Sequence, residues 1–226
     1  MDNELIVKTM PKSTISEDIR TLRTNIEFSL ADYDDKVIMV TSSGPSEGKS
    51  FVSANLAIAL AQNDKKVLLI DSDLRLGRIH KMFGVSNKLG LSKLIVKFDD
   101  DIDYREYIEK TDVKNLSLLP RGLVPPNPSE LLASKRFATI LSDLKVKYDY
   151  VILDSVPANG LPDSLILSKL ATKTVIVTTY GKTDIDALEH TKKALENVNA
   201  DIAGVIINKI PKSRNKYGSY YYYGER

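Results

Sequence analysis

Lys49 and Ser50, preceded by Gly48, together with the carboxylates Asp71, Asp73 and Asp154, are the residues whose types and spacing could do chemistry. They sit in or after short apolar runs. In Ser43-Gly44-Pro45-Ser46-Glu47-Gly48-Lys49-Ser50-Phe51 the glycine before the lysine lets the backbone pass close to a phosphate, with the loop amides turned inward. Lys49 offers a point charge to β- and γ-phosphates, Ser50 offers a hydroxyl oxygen to Mg²⁺, and the helix start behind them favours an anion. The strict pattern wants glycine where Ser43 stands, so the match is one residue short. Serine is small, and a nucleoside triphosphate is the ligand this loop suits. An accidental Gly-Lys-Ser in an ordinary strand-turn-helix is the bland alternative.

The carboxylates strengthen the first reading. Asp71-Ser72-Asp73-Leu74-Arg75 closes the apolar run Val67 to Ile70. Acids at the carboxyl end of a parallel strand lie where open α/β sheets place ligands. If the chain stays extended, alternation aims both at one side, one to hold Mg²⁺ and the other to accept a proton. A turn and helix cap is their other use. Asp154 closes Tyr150-Val-Ile-Leu in the Walker B manner, in which a carboxylate helps to hold Mg²⁺. The order of loop, Asp-x-Asp strand and apolar-Asp strand is more specific than any one of them. Separately, Glu17, Arg20 and Arg23 fall at intervals of three, so acid and guanidinium can pair within a helix or with another subunit. A solvated charged face is the plainer account.

These residues need a frame. Val37 to Val40 reads as a strand, and Phe51, Val52, Leu56, Ala57 and Leu60 give a helix from Ser50 to about Gln62 to Asp64. Ser13, Thr14 or Ser16 can cap a helix over about 14–30, with Ile15, Ile19, Leu22, Ile26 and Leu30 on one face. Residues 1–13 carry no periodic signal and are expected on the surface, with Pro11 as a breaker. Leu91 to Lys97 reads as a short helix, Phe98 to Asp103 as an acidic surface loop, and Val113 to Leu119 as a strand. The Pro-rich loop 121–130 shows no chemistry of its own; Asn127 or Ser129 caps a helix through Leu144. Strands over Thr174 to Thr178 and Ile202 to Ile207 flank a helix over 184–198. Alternation of this kind predicts a three-layer α/β fold, a mostly parallel sheet with helices on both faces. Asn208 and Lys209, after the last strand, are placed as a wall of the base pocket.

At 226 residues the chain fits one domain, assigned to 1–211. It has no cysteine, which excludes disulfides and thiol catalysis, and His80 and His190 cannot form a zinc site alone. A reducing, cytoplasmic location is the natural expectation for a chain without cysteine, and no apolar run has the length of a bilayer span. The net charge of +2 does not announce nucleic-acid binding. Residues 212–226 have no aliphatic core residue and are read as a flexible tail carrying Tyr217, Tyr220, Tyr221, Tyr222 and Tyr223. Clustered hydroxyls beside a nucleotide site suit phosphoryl acceptance better than stacking on single-stranded nucleic acid.

Glu17-x-x-Arg20-x-x-Arg23, the loop Ser43 to Ser50, Asp71-Ser-Asp73-Leu-Arg75, Pro126-Asn-Pro-Ser-Glu-Leu-Leu132, Asp154-Ser-Val-Pro157 and the terminal tyrosines together resemble the bacterial tyrosine kinases that regulate capsular and exopolysaccharide synthesis. The likeness covers nearly the whole chain. It is greatest to the kinase half of a split system of Gram-positive bacteria, in which a separate membrane protein supplies the anchor and an activating cytoplasmic tail. The resemblance implies ATP and Mg²⁺ as cofactors and phosphorylation in trans on Tyr217 and Tyr220 to Tyr223. It implies a homo-oligomer, a ring, with Glu17, Arg20 and Arg23 at the subunit contact. It also implies polysaccharide-synthesis enzymes as substrates, a cognate phosphotyrosine phosphatase, no nucleic acid, and residence at the inner face of the membrane through the activator. Ser50 and Asp154 are assigned to the Mg²⁺ sphere, Asp73 to the metal or its waters, and Asp71 is the favoured proton acceptor, with the choice of base between Asp71 and Asp73 left open. The first half is also similar to the septum-positioning and partitioning ATPases with a deviant Walker motif. Their signature lysine is replaced here by Gly44, which weighs against the alternative of an ATP-hydrolysing switch that positions partners. A eukaryotic-type kinase is excluded for want of its Gly-rich, His-Arg-Asp and Asp-Phe-Gly segments.

Overall fold

Seven strands form one sheet in the computed structural model, which describes residues 4–99 and 101–211. The chain runs α1 (Ile6–Thr9), α2 (Thr14–Ser29), β1 (Val37–Ser42), α3 (Lys49–Gln62), β2 (Val67–Asp71), α4 (Ile79–Phe83) and α5 (Leu91–Lys97). A 3₁₀ turn (Tyr104–Glu106) leads to β3 (Glu109–Lys110), β4 (Leu116–Leu119), α6 (Pro128–Leu132), α7 (Lys135–Lys147) and β5 (Tyr150–Asp154). Then follow α8 (Asp163–Ser168), β6 (Lys173–Thr179), α9 (Ile185–Asn197) and β7 (Ile202–Asn208). The strand order is β3-β4-β2-β5-β1-β6-β7, with β3 antiparallel to β4 and the other pairs parallel.

Strands β1, β2 and β5 are buried along their whole lengths, which is why they read as apolar runs without alternation. Successive side chains go to opposite faces. Ile38, Val40, Leu69 and Ile152 pack with Leu56 and Leu60 of α3, while Met39, Leu68, Ile70 and Leu153 pack with Phe137, Leu141 and Leu144 of α7. The sheet therefore has two cores. Its register sets Asp71 beside Asp154, and Val40 also beside Asp154, so the carboxyl ends of β1, β2 and β5 open at one place.

Several expectations need correction. Leu5, Ile6 and Val7 are buried rather than on the surface: Val7 N donates to Asn55 Oδ1 of α3 at 3.0 Å, and Asn55 Nδ2 donates to Glu4 O at 2.8 Å. Three apolar residues are too few to show a period, so this anchoring left no pattern in the sequence. Ile15 lies off the packed face of α2 and is exposed. The strand expected from Val113 begins at Leu116, because Asn115 takes a positive φ and Val113 N bonds to Thr111 Oγ1. The helix expected through Leu144 is two helices. Ser134 is extended and its hydroxyl accepts from Phe137 N, capping α7. Helices α4 and α8 and strand β3 were not anticipated; each has six residues or fewer. The tail 212–226, with all five tyrosines named for phosphorylation, lies outside the described residues.

Candidate active site

The loop between β1 and α3 is shaped by its own residues and by β7. Gly48 has φ of +101°, a conformation that L side chains rarely adopt, and a Cβ there would lie 2.0 Å from Asn208 Nδ2. Asn208 Nδ2 donates to Glu47 O at 2.9 Å, and Lys209 Nζ donates to Ser46 O at 2.6 Å. The two residues assigned to a base pocket thus brace the phosphate loop. Glu47 braces it from inside: its carboxylate accepts from Gly44 N at 2.8 Å and from the Thr183 hydroxyl ahead of α9. Sequence reasoning did not single out Thr183, and a lone threonine in a loop gave it no signal. Ser43 is buried, Phe51 packs partly against the α3 side of the sheet, and Pro45 is exposed. Gly44 has open space around its Cβ position, so crowding is not what keeps a lysine out of it.

The first turn of α3 carries the reactive pair into the carboxylates. Lys49 Nζ lies 3.3 Å from Asp73 Oδ2. Ser50 Oγ donates to Asp154 Oδ2 at 2.7 Å, and Ser53 Oγ, three residues on and so on the same helix face, donates to Asp154 Oδ1 at 3.0 Å. Ser53 was not foreseen, although its spacing from Ser50 was a usable signal. Asp71 is fully buried, with Oδ2 accepting from Ile79 N at 3.1 Å and Oδ1 without a partner among the described residues. A Cβ on Gly77 would come within 2.1 Å of that free oxygen, so glycine keeps room beside it. Asp73 combines both roles considered for it: Oδ1 caps a turn through Arg75 N and Leu76 N while Oδ2 faces Lys49.

Charge in this cluster is unbalanced. Burial, and then the neighbouring Asp154 charge, push the Asp71 carboxyl well above the ordinary carboxylate range. Burial also raises Asp154, against the opposing pull of Lys49, Ser50 and Ser53. Burial tends to lower Lys49, but the Asp154 and Asp73 charges outweigh it and hold the ammonium more firmly protonated. Three acids facing one lysine suit a bound cation, whose charge would reverse the rise in the carboxylates. Among the described residues no group of three or more His, Cys, Asp or Glu is arranged to hold a metal unaided. A cation at Ser50 and Asp154 would need phosphate oxygens and water as its other ligands.

Glu17, Arg20 and Arg23 are not brought to this cluster. Glu17 pairs with Arg20, whose Nη2 donates to Pro11 O at 2.7 Å, and Arg23 reaches Glu27 at 3.5 Å and Ala59 O at 3.3 Å.

A family model described as an AAA domain matches residues 35–206. The tyrosine-protein kinase YwqD of Bacillus subtilis is 39% identical over 226 residues, covering all of this chain and 93% of that protein. The chain belongs to the bacterial tyrosine-protein kinases. The kinase domain of the Escherichia coli tyrosine kinase ETK superposes with a TM-score of 0.88 at 32% identity, covering 98% of this chain and 84% of that one. The family's P-loop fold extends to the septum site-determining protein MinD of Pyrococcus horikoshii, solved with Mg-ADP, at a TM-score of 0.64 and 25% identity over 79% of this chain and 72% of that one. For this family member a nucleotide at the loop is the ligand its fold implies. No described helix is long and apolar enough to cross a membrane.

Proposed function

We propose that the chain transfers the γ-phosphoryl group of ATP to tyrosine, chiefly on the C-terminal tails of its own siblings. The observation that carries this reading is the convergence of Lys49 and Ser50 on Asp73 and Asp154, with Asp71 alongside, in a chain so similar to a tyrosine-protein kinase. Phosphoryl transfer asks mainly for positioning and for neutralised charge. Lys49 and the α3 amides hold the β- and γ-phosphates. Ser50 and Asp154 would hold Mg²⁺, with Asp73 on the metal or its waters, and the ion when bound would neutralise charge on the phosphate oxygens. Asp71, the favoured base, takes the phenolic proton at its free Oδ1 as the tyrosyl oxygen bonds to the γ-phosphorus and ADP leaves. With a cation bound, its charge would oppose the rise that burial and Asp154 impose on Asp71 and so favour the ionised form a base needs.

The tail leaves just beyond β7, whose end braces the phosphate loop through Asn208 and Lys209. Its fifteen residues, 212–226, span tens of ångströms when extended at about 3.3 Å each. Folding back in line with its own γ-phosphate needs a tight reversal, so transfer is intermolecular within a ring joined at Glu17, Arg20 and Arg23. Each phosphate brings about −1.5 to −2 charges, which Asp71, Asp73 and Asp154 repel, so modified tails leave and the ring loosens. The wider setting follows the family: a membrane-anchored activator that holds the kinase at the inner face of the cytoplasmic membrane, polysaccharide-synthesis enzymes as substrates, control of capsular or extracellular polysaccharide, and reversal by a phosphotyrosine phosphatase.

The test is a mixture with ATP and Mg²⁺ of a Lys49→Met protein that keeps its tail and an active protein lacking 212–226. Phosphate mapped by mass spectrometry to Tyr217 and Tyr220 to Tyr223 of the Lys49→Met chain is expected. An unlabelled mixture, beside a wild type that labels at a rate independent of its concentration, overturns transfer in trans.

A further inference from the structure

Asp73 has to present one oxygen to Lys49 while the chain turns sharply behind it. Its Oδ1 is spent on that turn, accepting from Arg75 N at 3.2 Å and Leu76 N at 2.8 Å, and Gly77 N closes it on Asp73 O at 2.8 Å. Leu74 before the tip is buried, and beyond it Arg121 Nε donates to Gly77 O at 2.8 Å, but Leu76, at the tip itself, is 83% exposed. The tip is tied to the rest of the fold by the Arg75 guanidinium. Its Nε and Nη2 fork onto the two oxygens of Asp163 at 2.9 and 3.2 Å, and Nη2 also reaches Ser129 Oγ at 3.1 Å. Ser129 Oγ in turn donates to Asp163 Oδ1 at 2.5 Å. The cluster joins the loop after β2, the start of α6 and the start of α8.

Asp163 is enclosed completely. Burial works against its charge, yet the hydrogen bonds from Arg75 and Ser129 outweigh burial and keep the carboxyl below its ordinary range. A buried ion pair is weak evidence for stability, since packed apolar residues often serve as well. A fork-to-carboxylate pair supplies something apolar contact does not, a fixed angle and register.

We propose that Asp163 is a positioning residue for phosphoryl transfer: through Arg75, and with Ser129 completing the set, it fixes the turn that aims Asp73 at Lys49. The effect on the reaction rests on the kinase reading above, whereas the effect on the turn does not. The Pro-rich segment thereby contributes to the site through Ser129 without touching a substrate.

Asp163→Asn keeps the shape of the side chain and removes its charge; Ser129→Ala removes one strut and leaves the fork. Backbone amide exchange at Arg75 and Leu76, which bond to Asp73, is read by mass spectrometry or NMR together with kcat, the KM for ATP and the Mg²⁺ concentration giving half the maximal rate. In a folded Asp163→Asn protein these two amides should exchange about tenfold faster, over and above any change at the core amides of β1 and β5. Loss of aim should appear in kcat, down about ten- to a hundredfold, and in a raised Mg²⁺ requirement, with KM within about twofold. Ser129→Ala should shift the same quantities less. Unchanged exchange at Arg75 and Leu76 in a folded Asp163→Asn protein overturns the proposal, as does faster exchange with kcat intact. Should Asp163→Asn fail to fold, Ser129→Ala decides by the same criteria. A wild type that phosphorylates no tyrosine defeats the kinase reading, and exchange at the two amides still settles the positioning role.

Discussion

The carboxyl end of the sheet and the outer face of α2 are both crowded with charge, yet they are built in opposite ways. At the sheet end, Lys49, Asp73 and Asp154 come from three distant stretches and are enclosed, with their charges set against one another. On α2, Glu17 and Arg20 are neighbours in sequence and pair with each other near solvent, as an isolated helix would allow. Enclosed, mutually perturbing groups store a large electrostatic effect, because little water screens them. Exposed local pairs store little. The first arrangement is complete within one chain, whereas the second gains a purpose only if another subunit meets it.

The largest expected effect therefore follows from the enclosed lysine. Lys49 is less accessible than a loop lysine would suggest, with its side chain 14% exposed, so its removal changes both the phosphate site and the acid cluster. Lys49→Met should lower tyrosine phosphorylation by about a hundred- to a thousandfold or more. The domain should stay folded by circular dichroism, since methionine keeps the bulk and Asp71 and Asp154 already favour holding a proton. Undiminished labelling by a folded variant would refute the site.

Next comes Asp71. Asp71→Asn should bind nucleotide nearly normally and transfer about a hundred- to ten-thousandfold more slowly. Its stability should move the other way. A carboxyl whose affinity for protons is raised by folding loses stability as pH climbs from its unfolded value through its folded one, because the folded state must then give up a proton it holds more tightly. The asparagine variant escapes that loss. Its thermal midpoint should exceed that of wild type at neutral pH, with the gap closing as pH falls toward 4. Loss of nucleotide binding in Asp71→Asn, with binding retained in Asp73→Asn, would exchange the two roles.

The same contrast explains what the sequence could reveal. The strands that carry Asp71 and Asp154 are apolar throughout and end on an acid, so both the element and its functional end were readable. That both acids would lie at one edge of the sheet was readable too, because the alternation of strands and helices implies parallel strands, whereas the pairing of β2 with β5 was not. Asp163 and Ser129 were not. One opens a six-residue helix and the other lies in the first turn of the five-residue α6, after a Pro-rich stretch, and only the tertiary fold brings Arg75 to them. Nor was the brace from Asn208 to the phosphate loop legible, since it depends on β7 ending beside a residue 161 positions earlier in the chain. Glu17, Arg20 and Arg23 were legible as a motif by spacing alone, yet spacing does not say what they touch.

For the α2 face a smaller, concentration-dependent effect is expected. Replacing Glu17, Arg20 and Arg23 together by alanine should give a monomer in sizing chromatography and several-fold slower labelling of tails at low protein concentration. The loss should shrink as concentration rises, because mass action restores encounters. A triple variant that keeps the mass and activity of wild type would leave the face merely solvated.

The smallest effect separates the partner surface from the chain's own fold. Arg23 is bound to its own domain, through Ala59 O and Glu27, whereas Glu17 and Arg20 engage mainly each other and Pro11. A half-exposed local pair contributes about 0.2–1 kcal/mol at most, and salt screens part of that. Glu17→Ala/Arg20→Ala should accordingly change the urea midpoint of the dilute monomer only slightly, with Arg23→Ala costing more because it strips a backbone carbonyl of its donor. The two variants should rank the other way in assembly if Glu17 and Arg20 are the residues presented to a neighbour. If the double variant instead destabilises the dilute monomer by several kcal/mol, well above what such a pair supplies, the pair holds α2 in place, and the contrast between the two charged regions disappears.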